Sequence, residues 1–91
     1  MAATPEIRAA LDGFEIDLTQ WRMKDKNAFV QAASESDESG AFPLAAKVVK
    51  GWPFEGDPAQ VESYGNLDFE EWARTYKAII AAVSLRFRGG V

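Results

Sequence analysis

The fold is decided by residues 68–87, which read DFEEWARTYKAIIAAVSLRF. Apolar residues recur there at steps of three and four, the spacing of one face of an α-helix. This spacing predicts a long amphipathic helix whose docking face carries Phe69, Trp72, Ala73, Tyr76, Ile80, Val83 and Phe87. Its other faces carry the charged residues Glu70, Glu71, Arg74 and Lys77. A face with so many large side chains must be covered by the rest of the chain or by a second copy of it.

Both ends of this helix are marked in the sequence. Asp68 can cap the first turn, and Glu71 three residues later completes the capping-box pattern. Arg86 and Arg88 fall in the last turn, where the helix dipole favours cations. Gly89-Gly90 follow, and glycine does not readily continue a helix. The helix therefore has a predicted beginning and a predicted end.

The length and composition of the chain predict one small folded domain. Its 91 residues are 47% hydrophobic and include three Trp, two Tyr and six Phe. We predict that residues 14–88 form a single helical domain, that residues 1–13 form a tail or short helix, and that residues 89–91 are a flexible C-terminus. Because so small a core leaves stability marginal, self-association would cover the remaining apolar surface, and we expect a homo-oligomer.

Charge and hydropathy exclude two classes of partner. The net charge is −4, with ten basic against fourteen acidic residues and no dense basic run, which argues against nucleic acid. No apolar run reaches the length of a membrane span, and residues 1–11 lack the charged-then-apolar order of a signal peptide. The sequence therefore predicts a cytoplasmic protein that does not bind a membrane.

Catalytic and metal-binding side chains are scarce. The chain has no cysteine and no histidine, which removes disulfides, thiolate chemistry and most zinc sites. Gly65 and Glu71 occupy two positions of a calcium-binding EF-hand loop, but the positions for its first three oxygen ligands hold Gln60, Glu62 and Tyr64. Since only one of these is a carboxylate, we interpret this segment as a turn before a capped helix. We expect no metal, no cofactor and no catalytic residue, and thus a protein that is not an enzyme.

Before the long helix, the hydropathy period changes along the chain. Phe14, Ile16 and Leu18 alternate with polar residues, which predicts a half-buried strand. No second alternating run is present, so its partner is expected to be an irregular loop, the N-terminal segment or the edge of another subunit. Residues 24–35 then show a helical period, with the inward positions Ala28, Phe29, Ala32 and Ala33.

The middle of the chain predicts a loop, a short helix and an aromatic connector. Residues 34–40 are polar and acidic, as in a loop. Pro43 suits the first position of a short apolar helix that Gly51 would end. Residues 52–67 combine prolines with aromatic residues, and they include one further helical turn ending near Tyr64. The whole pattern predicts a mainly α fold, a small domain of three to four helices with a short N-terminal β-strand.

The order of these segments resembles a known family, the small tail assembly chaperones of long-tailed bacteriophages. The similarity covers about residues 14–83, and its most specific block is 52–72. It rests on the pattern Phe14-x-Ile16-x-Leu18, Thr19-x-Trp21, a lysine-rich helix, an apolar helix closing on Trp52-Pro53-Phe54, then Asp57-Pro58, Ser63-Tyr64 and Leu67-Asp68-Phe69. Residues 1–13 and the ending Arg86-Phe87-Arg88-Gly89-Gly90 lie outside this pattern.

This resemblance implies that the protein acts by binding another protein through its surface, without chemical catalysis. Members bind the hydrophobic tape-measure protein, or another tail protein, until the tail tube polymerises, and they are absent from the finished particle. They act in the host cytoplasm and tend to self-associate. On this basis the expected partner-binding residues are Trp52, Phe54, Tyr64 and Phe87, with Arg86 and Arg88 on the rim. Because aromatic residues dominate cores as much as interfaces, Trp52 and Phe54 could instead cover the core.

Two other functions fit the same residues. The first is a small phage or mobile-element adaptor or inhibitor that binds one host protein through the same aromatic surface. The second is a structural subunit of a larger assembly, in which the strand at residues 14–18 would extend a neighbouring sheet. The chaperone and the adaptor differ in what they bind, whereas the structural subunit requires an exposed strand.

Overall fold

The helical pattern produces a mainly α domain, as predicted. A computed structural model describes the backbone of residues 11–89 and the side chains of residues 11–86. The predictions for residues 1–10 and 90–91 lie outside this range. The described chain contains strand β1 (Glu15–Ile16), a 3-10 helix (Leu18–Gln20), helix α1 (Met23–Ser34), helix α2 (Glu38–Val48), strand β2 (Val49–Gly51), helix α3 (Val61–Gly65) and helix α4 (Phe69–Gly89).

The partner of the N-terminal strand lies within the same chain. β1 pairs antiparallel with β2, with Glu15 opposite Gly51 and Ile16 opposite Val49. The backbone N–H of Asp17 extends this pairing by donating to the Val48 carbonyl at 2.7 Å. α2 thus ends at Val48 and runs directly into a strand, so the prediction that Gly51 ends a helix is wrong. β2 is only three residues long, which is too short to show an alternating period.

The second helix begins earlier than the sequence pattern indicated. Only residues 35–37 connect α1 to α2, and the Asp37 carboxylate caps α2 by accepting from the Gly40 N–H at 3.1 Å. The predicted loop at 34–40 is therefore mostly helical, and Pro43 lies inside the helix instead of at its first position. Proline removes the bond to the carbonyl of Ser39, which is exposed and can be hydrated by water instead.

The core lies between α1, α2 and α4, with Phe29 fully buried inside it. Among the predicted inward positions of α1, Phe29, Ala32 and Ala33 are at least half-buried, but Ala28 is exposed. The rings that contact Phe29 are those of Trp21, just before α1, and Tyr76 of α4. The fully buried members of this core include Phe29, Ala41, Ala45, Val48, Val49 and Ile79, with Tyr64 1% exposed.

The buried face of α4 is rotated from the predicted stripe. Thr75, Ala78 and Ile79 are fully buried, whereas Phe69 is 82% exposed. Successive helical residues turn by about 100°, which sets Phe69 about 120° around the helix from Thr75. The Thr75 hydroxyl is satisfied within the helix, because it donates to the Glu71 carbonyl at 2.9 Å. Phe69, the first residue of the predicted docking face, is therefore not covered by the rest of this chain.

The predicted beginning of α4 is confirmed by two reciprocal hydrogen bonds. The Glu71 N–H donates to the Asp68 carboxylate at 2.7 Å, and the Asp68 N–H donates to the Glu71 carboxylate at 3.0 Å. Each carboxylate thus satisfies one of the N–H groups that lack a partner at a helix N-terminus. This capping box fixes the direction in which α4 leaves the connector.

We expect Asp68→Ala to lower the free energy of unfolding by about 1 kcal/mol, since it removes the side-chain acceptor of this cap. Urea unfolding followed by circular dichroism would measure the loss. Asp68→Asn is the matched control, because asparagine is an equally good cap and should leave stability almost unchanged. Equal stability of the alanine and asparagine variants would contradict a stabilising cap.

Candidate protein-binding groove

The aromatic connector folds back on the core. The Trp52 ring lies 4.8 Å from the Tyr64 ring and 5.6 Å from the Phe54 ring, measured between centroids. Its indole N–H donates to the Gly56 carbonyl at 3.0 Å. Gly56 has a φ of +90°, a backbone conformation that L side chains rarely adopt. Trp52 is therefore a half-buried side chain held by both its ring and its polar atom.

Phe54 is held between two other segments. Its ring contacts Phe14 edge-on at 5.7 Å, and the guanidinium of Arg74 lies 5.2 Å from its centroid. These contacts join the connector to the start of the described chain and to α4. Trp52 and Phe54 are thus both half-buried, and Trp52 packs against the hydrophobic core. Only the remaining edges of these rings are available to a partner.

Tyr64 is not accessible to a partner in this fold. It is 1% exposed, and its ring packs against Phe42 and Trp72 as well as Trp52. Its hydroxyl donates to the Pro58 carbonyl at 2.7 Å. Burial, together with the negative charge of Asp57, raises the pKa of the Tyr64 phenol well above its usual range. Its assignment as a partner-binding residue is therefore corrected to a core residue.

The raised pKa of Tyr64 predicts an alkaline loss of stability. A phenol whose pKa is higher in the folded state contributes its full stability below its unfolded pKa, near pH 10, and loses it progressively above that pH. We expect Tyr64→Phe to be less stable than the native chain at neutral pH, and this difference to shrink as the pH rises above about 10. Urea unfolding of both proteins across this range measures it. Parallel stability curves would contradict the assignment, because the other titrating groups are common to both.

The remaining predicted contact residues lie at the other end of α4. Arg86 is exposed and lies beside Leu18 and Ala82. The side chains of Phe87 and Arg88 lie outside the described residues. Trp52 and Phe54 pack around Tyr64 and Arg74, whereas Arg86 lies more than three helical turns further along α4. Among the side chains that the structure describes, the predicted contact residues are therefore not brought together into one surface.

A different surface is open and apolar. It is a groove of about 210 Å³ where α1, α2 and α4 meet, and we term it the α1–α2–α4 groove. The aromatic rings of Trp72 and Tyr76 line it, and Phe69 stands at its edge. Small side chains between them leave room for an incoming side chain. The full lining is Ala33, Ser36, Asp37, Glu38, Ala41, Phe69, Trp72, Ala73 and Tyr76.

Packing behind the groove holds its aromatic walls in place. Trp72 contacts Phe42 edge-on at 4.9 Å, and Tyr76 stacks on the buried Phe29 at 5.8 Å. Phe69 has no such ring contact among the described side chains. The groove therefore combines fixed walls with one large apolar side chain that remains in solvent. Such an arrangement can bind an apolar side chain of another protein with little reorganisation.

Comparison with known proteins adds no identification. No family model matches this sequence. No curated protein and no solved structure matches it significantly either.

Within residues 11–86, no group of three or more acidic side chains is close enough to hold a metal ion. No helix in the described part of the chain is long and apolar enough to cross a membrane.

Proposed function

We propose that this chain is a bacteriophage tail assembly chaperone that binds the tape-measure protein through the α1–α2–α4 groove. Binding on this proposal uses protein–protein contacts and involves no catalysis. The observation that carries it is the 82% exposure of Phe69 at the edge of an apolar groove. A large exposed aromatic beside a groove is typical of a surface that binds a hydrophobic partner.

The groove fits one turn of a helix better than an extended strand. Its lining comes from three helices and the α1–α2 connection, and it contains small residues, including Ala33, Ala41 and Ala73, which allow close approach. An amphipathic helix can place one apolar side chain between Trp72 and Tyr76 and cover Phe69 with the next turn. Burying an aromatic side chain such as Phe69 contributes about 1.5–3 kcal/mol, so this residue would dominate the affinity.

The resemblance supplies the biological setting of the proposal. The block at residues 52–72, which carries most of that resemblance, forms the aromatic packing that positions the start of α4. On this proposal the chain acts in the host cytoplasm, self-associates and is absent from the finished particle. The edges of Trp52 and Phe54 and the exposed Arg86 would extend the contact with a long client or with a second copy.

The experiment is co-expression with the tape-measure protein of the same phage, followed by co-purification and binding measurements. We expect the native chain to keep the client soluble in a complex. Phe69→Ala should weaken binding by on the order of tenfold or more while leaving stability almost unchanged, because Phe69 is largely exposed. Val61→Ala is the matched control, since Val61 is 43% exposed and lies outside the groove.

Two results would overturn the proposal. If the tape-measure protein stays insoluble or unbound in the presence of the native chain, the chaperone function fails. Binding of one defined host protein through Phe69 would then favour the adaptor or inhibitor. If Phe69→Ala and Val61→Ala bind the client equally well, the groove is not the binding site. A structural subunit that extends a sheet would instead lose its assembly on substitution within β1 (Glu15–Ile16).

A further inference from the structure

We propose that the α1–α2–α4 groove selects a partner helix that carries a lysine or arginine beside its apolar anchor residue. This inference rests on the proposed function in taking the occupant to be a helix of another protein. It adds the chemistry by which that helix is recognised. The apolar part of the groove would take the anchor, and the carboxylates at its α2 edge would take the cation.

All the charged side chains that line the groove are negative. Asp37 and Glu38 both line it, and no lysine or arginine does. Both side chains belong to residues that are exposed to solvent. An anionic partner side chain would meet two negative charges here, whereas a cationic one would meet two opposite charges. Charges arranged this way at the edge of an interface select partners by sign.

The carboxylates of Asp37 and Glu38 differ in the hydrogen bonds that they already form. The Asp37 carboxylate already accepts from the Gly40 N–H at 3.1 Å and from the Ser39 hydroxyl at 3.0 Å. The Glu38 carboxylate forms no hydrogen bond or ion pair with any residue that the structure describes. Glu38 can therefore move to meet an incoming cation, while Asp37 stays fixed as the helix cap. We infer that Glu38 makes the direct ion pair and that Asp37 adds a fixed negative charge.

The spacing required of the partner follows from helix geometry. Side chains three or four residues apart lie on the same face of a helix. A partner helix with its anchor between Trp72 and Tyr76 would therefore present its next same-face residue about one turn away. If that residue is basic, its stem can lie across Phe69 and its charged end can reach the carboxylates. The proposed recognition pattern is a large apolar residue followed or preceded, at three or four positions, by lysine or arginine.

The test uses two synthetic helical peptides that differ at one position. Both carry a leucine anchor, and four residues later one has lysine and the other glutamate. Fluorescence anisotropy of labelled peptides would give their affinities for the intact chain. We expect the lysine peptide to bind about tenfold more tightly at low salt. This preference should decrease between about 0.05 M and about 0.5 M salt, because charges near solvent are screened.

Variants of the chain assign the preference to the groove. Glu38→Gln should reduce the preference for the lysine peptide to about threefold, since only the charge of Asp37 remains. Glu62→Gln is the matched control: Glu62 is likewise an exposed first-turn residue of a helix, but it lies outside the groove. We expect this control to keep the full preference. Phe69→Ala should weaken the binding of both peptides, because it removes apolar contact without changing the charge of the groove.

The outcomes separate this inference from the proposed function. Equal affinities of the two peptides, no binding of either peptide, or an unchanged preference in Glu38→Gln would overturn the inference, even if the tape-measure protein binds. A lysine preference that depends on Glu38 would support it, even if the tape-measure protein does not bind. If peptide affinity falls as protein concentration rises, a second copy of the chain occupies the groove, and the proposal that a helix of another protein binds there is wrong.

Discussion

Phe29→Ala is expected to lower the free energy of unfolding by about 3–5 kcal/mol, the typical cost of removing a fully buried aromatic. Phe29 is 0% exposed, and its ring lies 5.2 Å from the Trp21 ring and 5.8 Å from the Tyr76 ring. Alanine would leave a cavity at the point where α1 meets α4. Because small domains have total stabilities of about 5–15 kcal/mol, this loss would remove a large fraction of the free energy of unfolding.

Urea unfolding followed by tryptophan fluorescence and by circular dichroism would measure this effect. Val30→Ala is the matched control, since Val30 is the next residue of α1 and is 42% exposed. We expect the control to change the free energy of unfolding by less than about 0.5 kcal/mol. A Phe29→Ala variant that is as stable as the control would show that α1 does not pack on α4 through this residue.

Tyr64→Ala is expected to have the second largest effect, also about 3–5 kcal/mol. Tyr64 joins Phe42 of α2, Trp52 of the connector and Trp72 of α4. Its removal would leave Trp52 without its nearest ring, so we also expect the tryptophan emission to shift to longer wavelength in the folded fraction. Tyr64→Phe keeps the ring and loses only the bond to Pro58, which should cost about 0.5–1.5 kcal/mol.

This comparison distinguishes a core residue from a contact residue. A buried Tyr64 predicts that alanine destabilises the free chain strongly and that phenylalanine does so mildly. A surface contact would give the opposite pattern: both variants would be as stable as the native chain, and alanine would weaken partner binding. That result would contradict the burial of Tyr64 and restore its role in partner binding.

Features set by neighbouring residues were predictable from the sequence. The capping box of Asp68 and Glu71 forms as expected, because both hydrogen bonds connect residues within one turn. α1 was placed to within one residue at each end, since its helical period is contained in its own sequence. The mainly α fold follows from these local patterns.

Features set by contacts between distant segments were not predictable in this way. β2 forms because β1 pairs with it, and a run of three residues has no recognisable period of its own. The early start of α2 depends on the Asp37 cap, whose signal was obscured by the polar composition of residues 34–40 and by Pro43 inside the helix. In both cases the surrounding structure overrode the composition of the segment.

For a similar reason, the sequence alone does not reveal the groove. Its lining comes from three helices and the α1–α2 connection, and no single segment specifies the relative positions of these helices. One signal was nevertheless present: Phe69 is the first helical residue after the cap, at the very end of the apolar stripe. A helix that begins at the edge of a domain has no packing partner for such a residue. The exposed position of Phe69 could have been suspected on this ground.

The short connection between α1 and α2 has a consequence for the order of folding. Residues 35–37 separate two helices that pack on each other, so their pairing requires the closure of only a small loop. The β1–β2 pairing and the docking of α4 join segments far apart in the sequence, and they carry a larger entropic cost. We therefore expect the α1–α2 hairpin to be structured in the transition state, with α4 closing over Phe29 as a later event.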